Sequence, residues 1–358
     1  MSRFLMVDIG AGTMDLLYYD DRADLCYKAV VKSPALCVAE EAARLPGKLL
    51  LTGREMGGGN LAALLRKRAQ AAEVVMSASA AATIHHQLER VTSLGIKVVT
   101  DAEGESLRKS GRYGTLALHD LDPERLRQIV EGFGVPFAFD VVGICAQDHG
   151  RAPAGVSHLD FRHRIFTSLL EKHPHPEAAL YEKDEVPSAL SRLKALAASC
   201  EQLPATEVYL MDSGMAAILG ASLDLQAAAK EKVLVLDIAT SHTLGAALEG
   251  GELAGFFEYH TRDITLERLE ALLVELADGK LRHDQLLAEG GHGAYTRKAL
   301  GFQACEIIVA TGPKRKLMHP SALPVVFGAP FGDNMMTGAV GLLEAVRRRK
   351  GLEPLLYV

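Results

Sequence analysis

Two short segments of this chain are built alike. VDIGAGTMDLLYYD covers residues 7–20 and LDIATSHTLGAALEG covers residues 236–250, each an apolar strand, an Asp, a small-residue turn and a second strand. The runs FLMVDI and KVLVLDI are long enough for buried strands, and each delivers a carboxylate, Asp8 or Asp237, to its tip. The small residues that follow, Gly10, Ala11 and Gly12 in the first copy, leave backbone N–H groups open to an anion. The hydroxyls of Thr13, Thr240 and Ser241 add donors, so two such hairpins can clamp one polyphosphate. Carboxylates this close to phosphate do not bind it directly, and Asp8 and Asp237 are expected to hold Mg²⁺ or its waters. A dinucleotide-binding turn is a poor match. Gly10-Ala11-Gly12-Thr13-Met14-Asp15 lacks the third Gly and runs on into MDLLYYD, a strand pattern rather than a helix.

At 358 residues the chain exceeds the length at which one core usually stops growing, so two lobes are expected. A formal charge of −6 gives no electrostatic footprint for nucleic acid or an anionic membrane. No signal peptide pattern fits and no apolar run is long enough to span a bilayer, which predicts a cytoplasmic protein. Cys26, Cys37, Cys145, Cys200 and Cys305 are scattered, without the close spacing of a cysteine-bound iron–sulfur cluster.

Along the chain, residues 4–10, 14–20 and 25–32 read as a three-stranded meander. Gly57-Gly58-Gly59 precedes a helix-like LAALLRKRAQ, either as an anion-binding helix start or as a plain turn with Asn60 as the N-cap. AEVVMS, a Ser77-capped helix through residues 79–93 and IKVVT read as a βαβ-like unit, followed by a loop-rich stretch to about residue 122. FAFDVVGICAQDHG is a buried strand that ends in Gln147, Asp148 and His149, either a substrate-side cluster or the start of a solvated loop. His173 and His175 fall in a Pro- and charge-rich surface connection. Asp212 stands at the start of the helix MAAILGA, where a carboxylate caps well.

In their order, these motifs resemble the superfamily of actin, heat-shock ATPases and sugar kinases, known as ASKHA. VDIGAGTMD is similar to its first phosphate motif, MDSGMAAILGA to its first connecting helix and LDIATSHTLGAAL to its second phosphate motif. IIVATGPKRK is similar to its adenosine motif and FGDNMMTGAVGLLEAV to its second connecting helix. The resemblance implies an α/β, two-lobed, actin-like ATPase (ribonuclease H-like) fold with a nucleotide cleft between lobes. Residues 1–205 would form the first lobe and 206–333 the second, with the helix 334–350 returning to the first. ATP and Mg²⁺ are the implied cofactors, with Gly312 and Pro313 near the adenosine. VVGICAQDHG and the place of Asp212 also resemble the FGGY carbohydrate kinases, in which an Asp at this point is the general base. The whole chain further resembles an uncharacterised ASKHA-related family labelled as pyruvate formate-lyase activating. Two departures stand out: Ala239-Thr240-Ser241-His242 replaces a Gly-rich second phosphate turn, and Ala310-Thr311-Gly312 replaces Gly-Gly in the adenosine motif.

One fold serves several functions. The leading expectation is Mg²⁺-dependent phosphotransfer from ATP to a small-molecule acceptor, with Asp212, Asp8 and Asp237 catalytic and Gln147, Asp148 and His149 facing the acceptor. The alternatives are an ATP-hydrolysing switch or activator acting on a partner protein, and a degenerate nucleotide sensor. For the second hairpin, a two-residue turn at Gly250-Gly251 pairs 249 with 252 and sets His242 opposite Tyr259, with His260 on the other face. A metal site using both histidines would then need a bulge, and His242 is expected to donate to phosphate instead.

Overall fold

The computed structural model describes residues 2–357. Strands β1 (Arg3–Ile9), β2 (Thr13–Asp20) and β3 (Leu25–Lys32) form the expected antiparallel meander. The chain then builds a separate four-stranded parallel sheet from β4 (Leu49–Gly53), β5 (Val74–Ser77), β6 (Lys97–Val99) and β7 (Gly114–Leu118). It returns as β8 (Phe139–Ala146), β9 (Leu180–Glu182) and β10 (Ala205–Asp212). β8 pairs parallel with β1 and β10 parallel with β8, giving the order β3-β2-β1-β8-β10-β9.

The same construction follows a second time. β11 (Lys232–Ile238), β12 (His242–Glu249) and β13 (Glu252–His260) are an antiparallel meander, extended by β14 (Gly293–Thr296). β15 (Ile307–Thr311) joins β11 in parallel and β16 (Val325–Phe327) follows it, so the order is β14-β13-β12-β11-β15-β16. In both sheets the first strand is central, flanked on one side by its hairpin partner and on the other by a parallel crossover strand. This twice-used ribonuclease H-like topology is the actin-like ATPase fold. β1 and β11 are nearly continuous apolar runs because both are covered on two faces. Among the described residues no helix is long and apolar enough to cross a membrane.

The two sheets are bridged by the helices Ser213–Ser222 and Thr337–Arg349, which pack against each other; the second also lies on β1 and β8. Their backbones touch at glycines. A Cβ on Gly220 would lie 1.8 Å from the Thr337 carbonyl oxygen, and one on Gly341 would lie 1.8 Å from the Ala216 carbonyl oxygen. Ser213–Ser222 is apolar and buried around nearly its whole circumference, which its sequence MAAILGA allows only because both sheets and the other helix cover it.

Some local expectations are corrected. The single helix expected over 79–93 is split into Ala78–Ala81 and Leu88–Thr92, and in the intervening turn the His86 ring lies 2.8 Å from the Glu55 carboxylate. The stretch before residue 122 is not simply loop: Thr100 and Glu103 form a capping box for the helix Asp101–Lys109, and β7 follows. Asn60 is not an N-cap. The helix Gly59–Ala69 starts with Gly58 in that place, and Asn60 lies in its first turn.

The glycine crossing is testable. Gly341→Ala should cost about 1–3 kcal/mol or more, the usual penalty of overpacking a rigid interior, read as a lower midpoint in urea. Gly132→Ala is the control, since open space surrounds its helical position. Equal midpoints for Gly341→Ala and the wild type would refute the crossing.

Candidate functional site

The two signature turns meet. In the first, the Gly10 amide donates to the Thr13 carbonyl (3.0 Å); in the second, the Ala239 amide donates to the His242 carbonyl (3.0 Å). The turns are therefore equivalent, and His242 holds the place of Thr13. They also touch, since a Cβ on Gly12 would lie 2.9 Å from Cγ2 of Thr240. Around them opens a cavity of about 670 Å³, lined by Asp8, Asp237, both turns, strands of the two six-stranded sheets and the segments that follow β4 and β5. Gly10, Ala11, Gly12, Thr13, Thr240, Ser241, His242, Gly312 and Pro313 all line it.

Gly312 is held by two constraints. Its φ is +86°, and a Cβ would lie 2.6 Å from the Ile238 carbonyl oxygen and 2.8 Å from Oδ1 of Asp237. Asn334 fixes this turn by donating its side-chain amide to the Gly312 carbonyl (3.0 Å). On the other side, Gly338 of the C-terminal helix packs against the Asp8 carboxylate, where a Cβ would fall 2.0 Å from Oδ2.

The electrostatics of this end are unfavourable for the protein alone. Burial, with the charges of Asp237 and Asp212 adding to it, lifts Asp8 to about 7. Burial and the neighbouring Asp8 lift Asp15 to about 8, and burial lifts Asp237 to about 6 against a hydrogen bond from Thr311 (3.1 Å). Asp15 is a member that sequence reasoning missed. It pairs directly across the hairpin with Asp8, and its Oδ1 is buried without a hydrogen-bond partner. Like charges opposite each other in a ladder repel. The three do not converge closely enough to share one ion directly, so a hard divalent cation beside them would complete its oxygen shell with water or phosphate and would favour their charged forms.

The residues expected on the acceptor side divide. Gln147, Asp148 and His149 all line the cavity, but the Asp148 carboxylate is committed internally, accepting from the Gly150 amide (2.8 Å) and the Leu193 amide (3.0 Å). Gln147 donates to the buried Glu258. His149 is held neutral, pushed down to about 3 by burial and by Arg162, and its Nδ1 has no partner. Asp212 is not on the cavity wall. Its Oδ1 accepts from the Gly214 and Met215 amides (3.0 and 3.2 Å), and its Oδ2 takes an ion pair from Nη1 of Arg162 (2.8 Å). Arg162, itself buried, also reaches Glu258 through Nε at 3.5 Å.

The expected register of the second hairpin is overturned. Gly250 and Gly251, at φ +58° and +81°, make the two-residue turn and pair Glu249 with Glu252. A bulge then intervenes. Leu248 pairs with Leu253 but Ala247 pairs with Gly255, so Ala254 is the extra residue and His242 faces His260 rather than Tyr259. His292, just before β14, completes a group with His242 and His260 on the cavity wall. Burial pushes His242 down to about 4 and lowers His260 as well, so both rings are neutral near pH 7.

Among the described residues the five cysteines are free, and the group of side chains placed to share an ion is this all-histidine one. The cysteine ligands of a radical activase are not assembled here.

No curated protein matches the chain. Similar solved structures include the activator of 2-hydroxyisocaproyl-CoA dehydratase from Clostridium difficile with bound ADPNP (9% identity, 99% of each chain covered, TM-score 0.32). Others are an inorganic polyphosphate/ATP-glucomannokinase from Arthrobacter sp. strain KM (14%, 97% of this chain and 100% of that one, TM-score 0.37) and component A of (R)-2-hydroxyglutaryl-CoA dehydratase from Acidaminococcus fermentans (11%, 96% and 99%, TM-score 0.30). At these scores they carry no functional argument. A family model described as "Putative pyruvate format-lyase activating enzyme (DUF1786)" matches residues 56–317, more than half of the chain. The chain, with its paired actin-like turns, belongs to the DUF1786 family.

Proposed function

We propose that the protein binds ATP with Mg²⁺ between its two hairpin turns and transfers the terminal phosphoryl group to a small-molecule acceptor. The observation that carries this reading is the meeting of Asp8, Asp15 and Asp237 with two amide-lined turns around one cavity. The turn amides and the hydroxyls of Thr13, Thr240 and Ser241 would bind the phosphate oxygens, and Asp8 and Asp237 would hold the metal, directly or through water. Mg²⁺ bound there would neutralise charge on the phosphates. Gly312 and Pro313 would lie beside the adenosine.

Beyond the turns the cavity continues along Gln147, His149, His260 and His292, a polar compartment suited to an acceptor. A second reading, an ATP-hydrolysing switch that acts on a partner protein, is favoured by one observation. Both oxygens of Asp212 are committed to the helix cap and to Arg162, so Asp212 is not free to take a proton. We assign it to positioning, as the joint between β10, the connecting helix and the Arg162–Glu258 pair.

Asp8→Asn should weaken nucleotide binding in the presence of Mg²⁺ and leave metal-free binding and folding nearly unchanged, as read by calorimetry with and without Mg²⁺. Equal Mg²⁺ dependence in variant and wild type would refute the metal assignment, and a wild type that binds neither ATP nor ADP would overturn the phosphotransfer reading.

Asp212→Asn separates the two roles of that residue. Asn caps a helix about as well as Asp, but breaking a buried ion pair costs about 3–5 kcal/mol, less here because Glu258 stays beside Arg162. The expected outcome is a lower unfolding midpoint with near-normal turnover per folded molecule. A loss of about 10²–10⁴ in phosphoryl transfer at unchanged stability, the range of positioned acid–base catalysis, would restore Asp212 as the base.

A further inference from the structure

We propose that His242, His260 and His292 bind a divalent transition-metal ion, of the zinc class, with an open coordination position facing the cleft. One imidazole nitrogen from each residue lies within 4.8 Å of the other two. A tetrahedral zinc with bonds of about 2.0–2.1 Å needs separations of about 3.4 Å, so small side-chain rotations close the set. The ring centroids are 4.7 Å apart for His242 and His260, 4.7 Å for His242 and His292, and 4.1 Å for His260 and His292.

Two independent features point to a ligand rather than to chance proximity. The first is unpaired nitrogen. Nε2 of His242 and Nδ1 of His292 are buried without a hydrogen-bond partner, although they come from different strands and loops. Buried polar atoms are rarely left so. Both face Oε1 of Glu258, at 3.9 and 3.5 Å, distances too long or poorly aligned for hydrogen bonds. Glu258 is itself held from behind by Arg162 and Gln147, which keeps its carboxylate from closing on either nitrogen.

The second feature is the bulge. A regular hairpin would turn His260 to the opposite face of the sheet, and the extra residue Ala254 is what brings it round. The bulge is built in: the Ala254 carbonyl accepts from the amides of both Arg297 and Lys298 (2.7 and 3.1 Å). Downstream of it, the His292 amide donates to the Glu258 carbonyl (2.8 Å), which ties the third histidine to the same strand as the second. Backbone irregularity and loop docking thus converge on one point.

The donor chemistry separates this ion from the one at the turns. Three imidazole ligands suit zinc, cobalt, nickel or copper, whereas Mg²⁺ selects oxygen ligands. With three protein ligands, a fourth position remains for an oxygen of water or substrate. Resting on the phosphotransfer reading, this position assigns the acceptor class: a molecule presenting a hydroxyl or carboxylate oxygen to a metal. Such binding would lower the pKa of a bound hydroxyl, whose proton would pass to solvent water as its oxygen takes the terminal phosphoryl group of ATP and ADP leaves, so that Asp212 need not act as the base.

The test uses the full chain stripped of metal and titrated with Zn²⁺ by calorimetry and with Co²⁺ by visible absorption, in the absence of nucleotide. We expect one equivalent of Zn²⁺ not displaced by excess Mg²⁺, a tetrahedral-type Co²⁺ spectrum, and at least a 10²-fold loss of affinity in His260→Ala and in His292→Ala. Circular dichroism checks that each variant is folded. His173→Ala, an exposed histidine elsewhere, and Asp8→Asn should keep the site. Loss of Zn²⁺ binding in the ligand variants with ATP binding retained supports a separate metal site; a wild type that binds ATP but not Zn²⁺, or that binds Zn²⁺ equally well in all variants, overturns it while leaving the nucleotide reading intact.

Discussion

The structure turns on the contact between two helices whose backbones meet at Gly220 and Gly341. Each helix follows a strand or turn of one half and packs into the other, so the distance between the halves is set where no side chain intervenes. That spacing decides whether Asp8 and Asp237 address one cavity or two surfaces. It also places Gly338 against the Asp8 carboxylate, so a single helix both joins the halves and closes the floor of the site. An interior packed this closely transmits small shifts rather than absorbing them. A change in the crossing would be felt at the turns.

Around that pivot the cleft has two chemically distinct ends. At the turns, three aspartates line one buried space in which burial raises all three and neighbouring carboxylates add to the shift at Asp8 and Asp15, so positive charge among them would favour their ionised forms. At the other end the wall is imidazole, short of partners and backed by Glu258 and Arg162. Hard oxygen donors and borderline nitrogen donors do not compete for the same ion. The fold keeps them apart by placing the oxygens on β1, β2 and β11 and the nitrogens on β12, β13 and the loop before β14.

The carboxylates behind the wall do structural work. Asp212 ends β10 and caps a helix, Asp148 lies two residues past β8 and caps a turn, and each is tied to Arg162, one through its carboxylate and the other through its carbonyl. Removing water from such a network makes every satisfied bond stronger and every missing one costlier. Arg162 is therefore a joint between β8, β10 and β13 rather than a surface cation.

What the sequence by itself determined is local. An apolar strand, an Asp, small residues and a second strand specify a hairpin turn wherever they occur, and the repetition of that pattern at residues 7–20 and 236–250 made the paired hairpins, Asp8 and Asp237 legible. Asp15 was within reach too, because a regular hairpin from that turn sets it opposite Asp8. Tertiary structure decided the rest. Whether Asp148 and Asp212 are free or committed depends on Arg162, Leu193 and Gly150, contacts made only once helices dock on the strands. The histidine group depends on one extra residue at Ala254, held by amides more than forty positions downstream. Strand alternation can be read from neighbours in sequence, but a bulge exchanges the two faces of a strand at the price of hydrogen bonds from elsewhere in the fold, and only the assembled sheet supplies them.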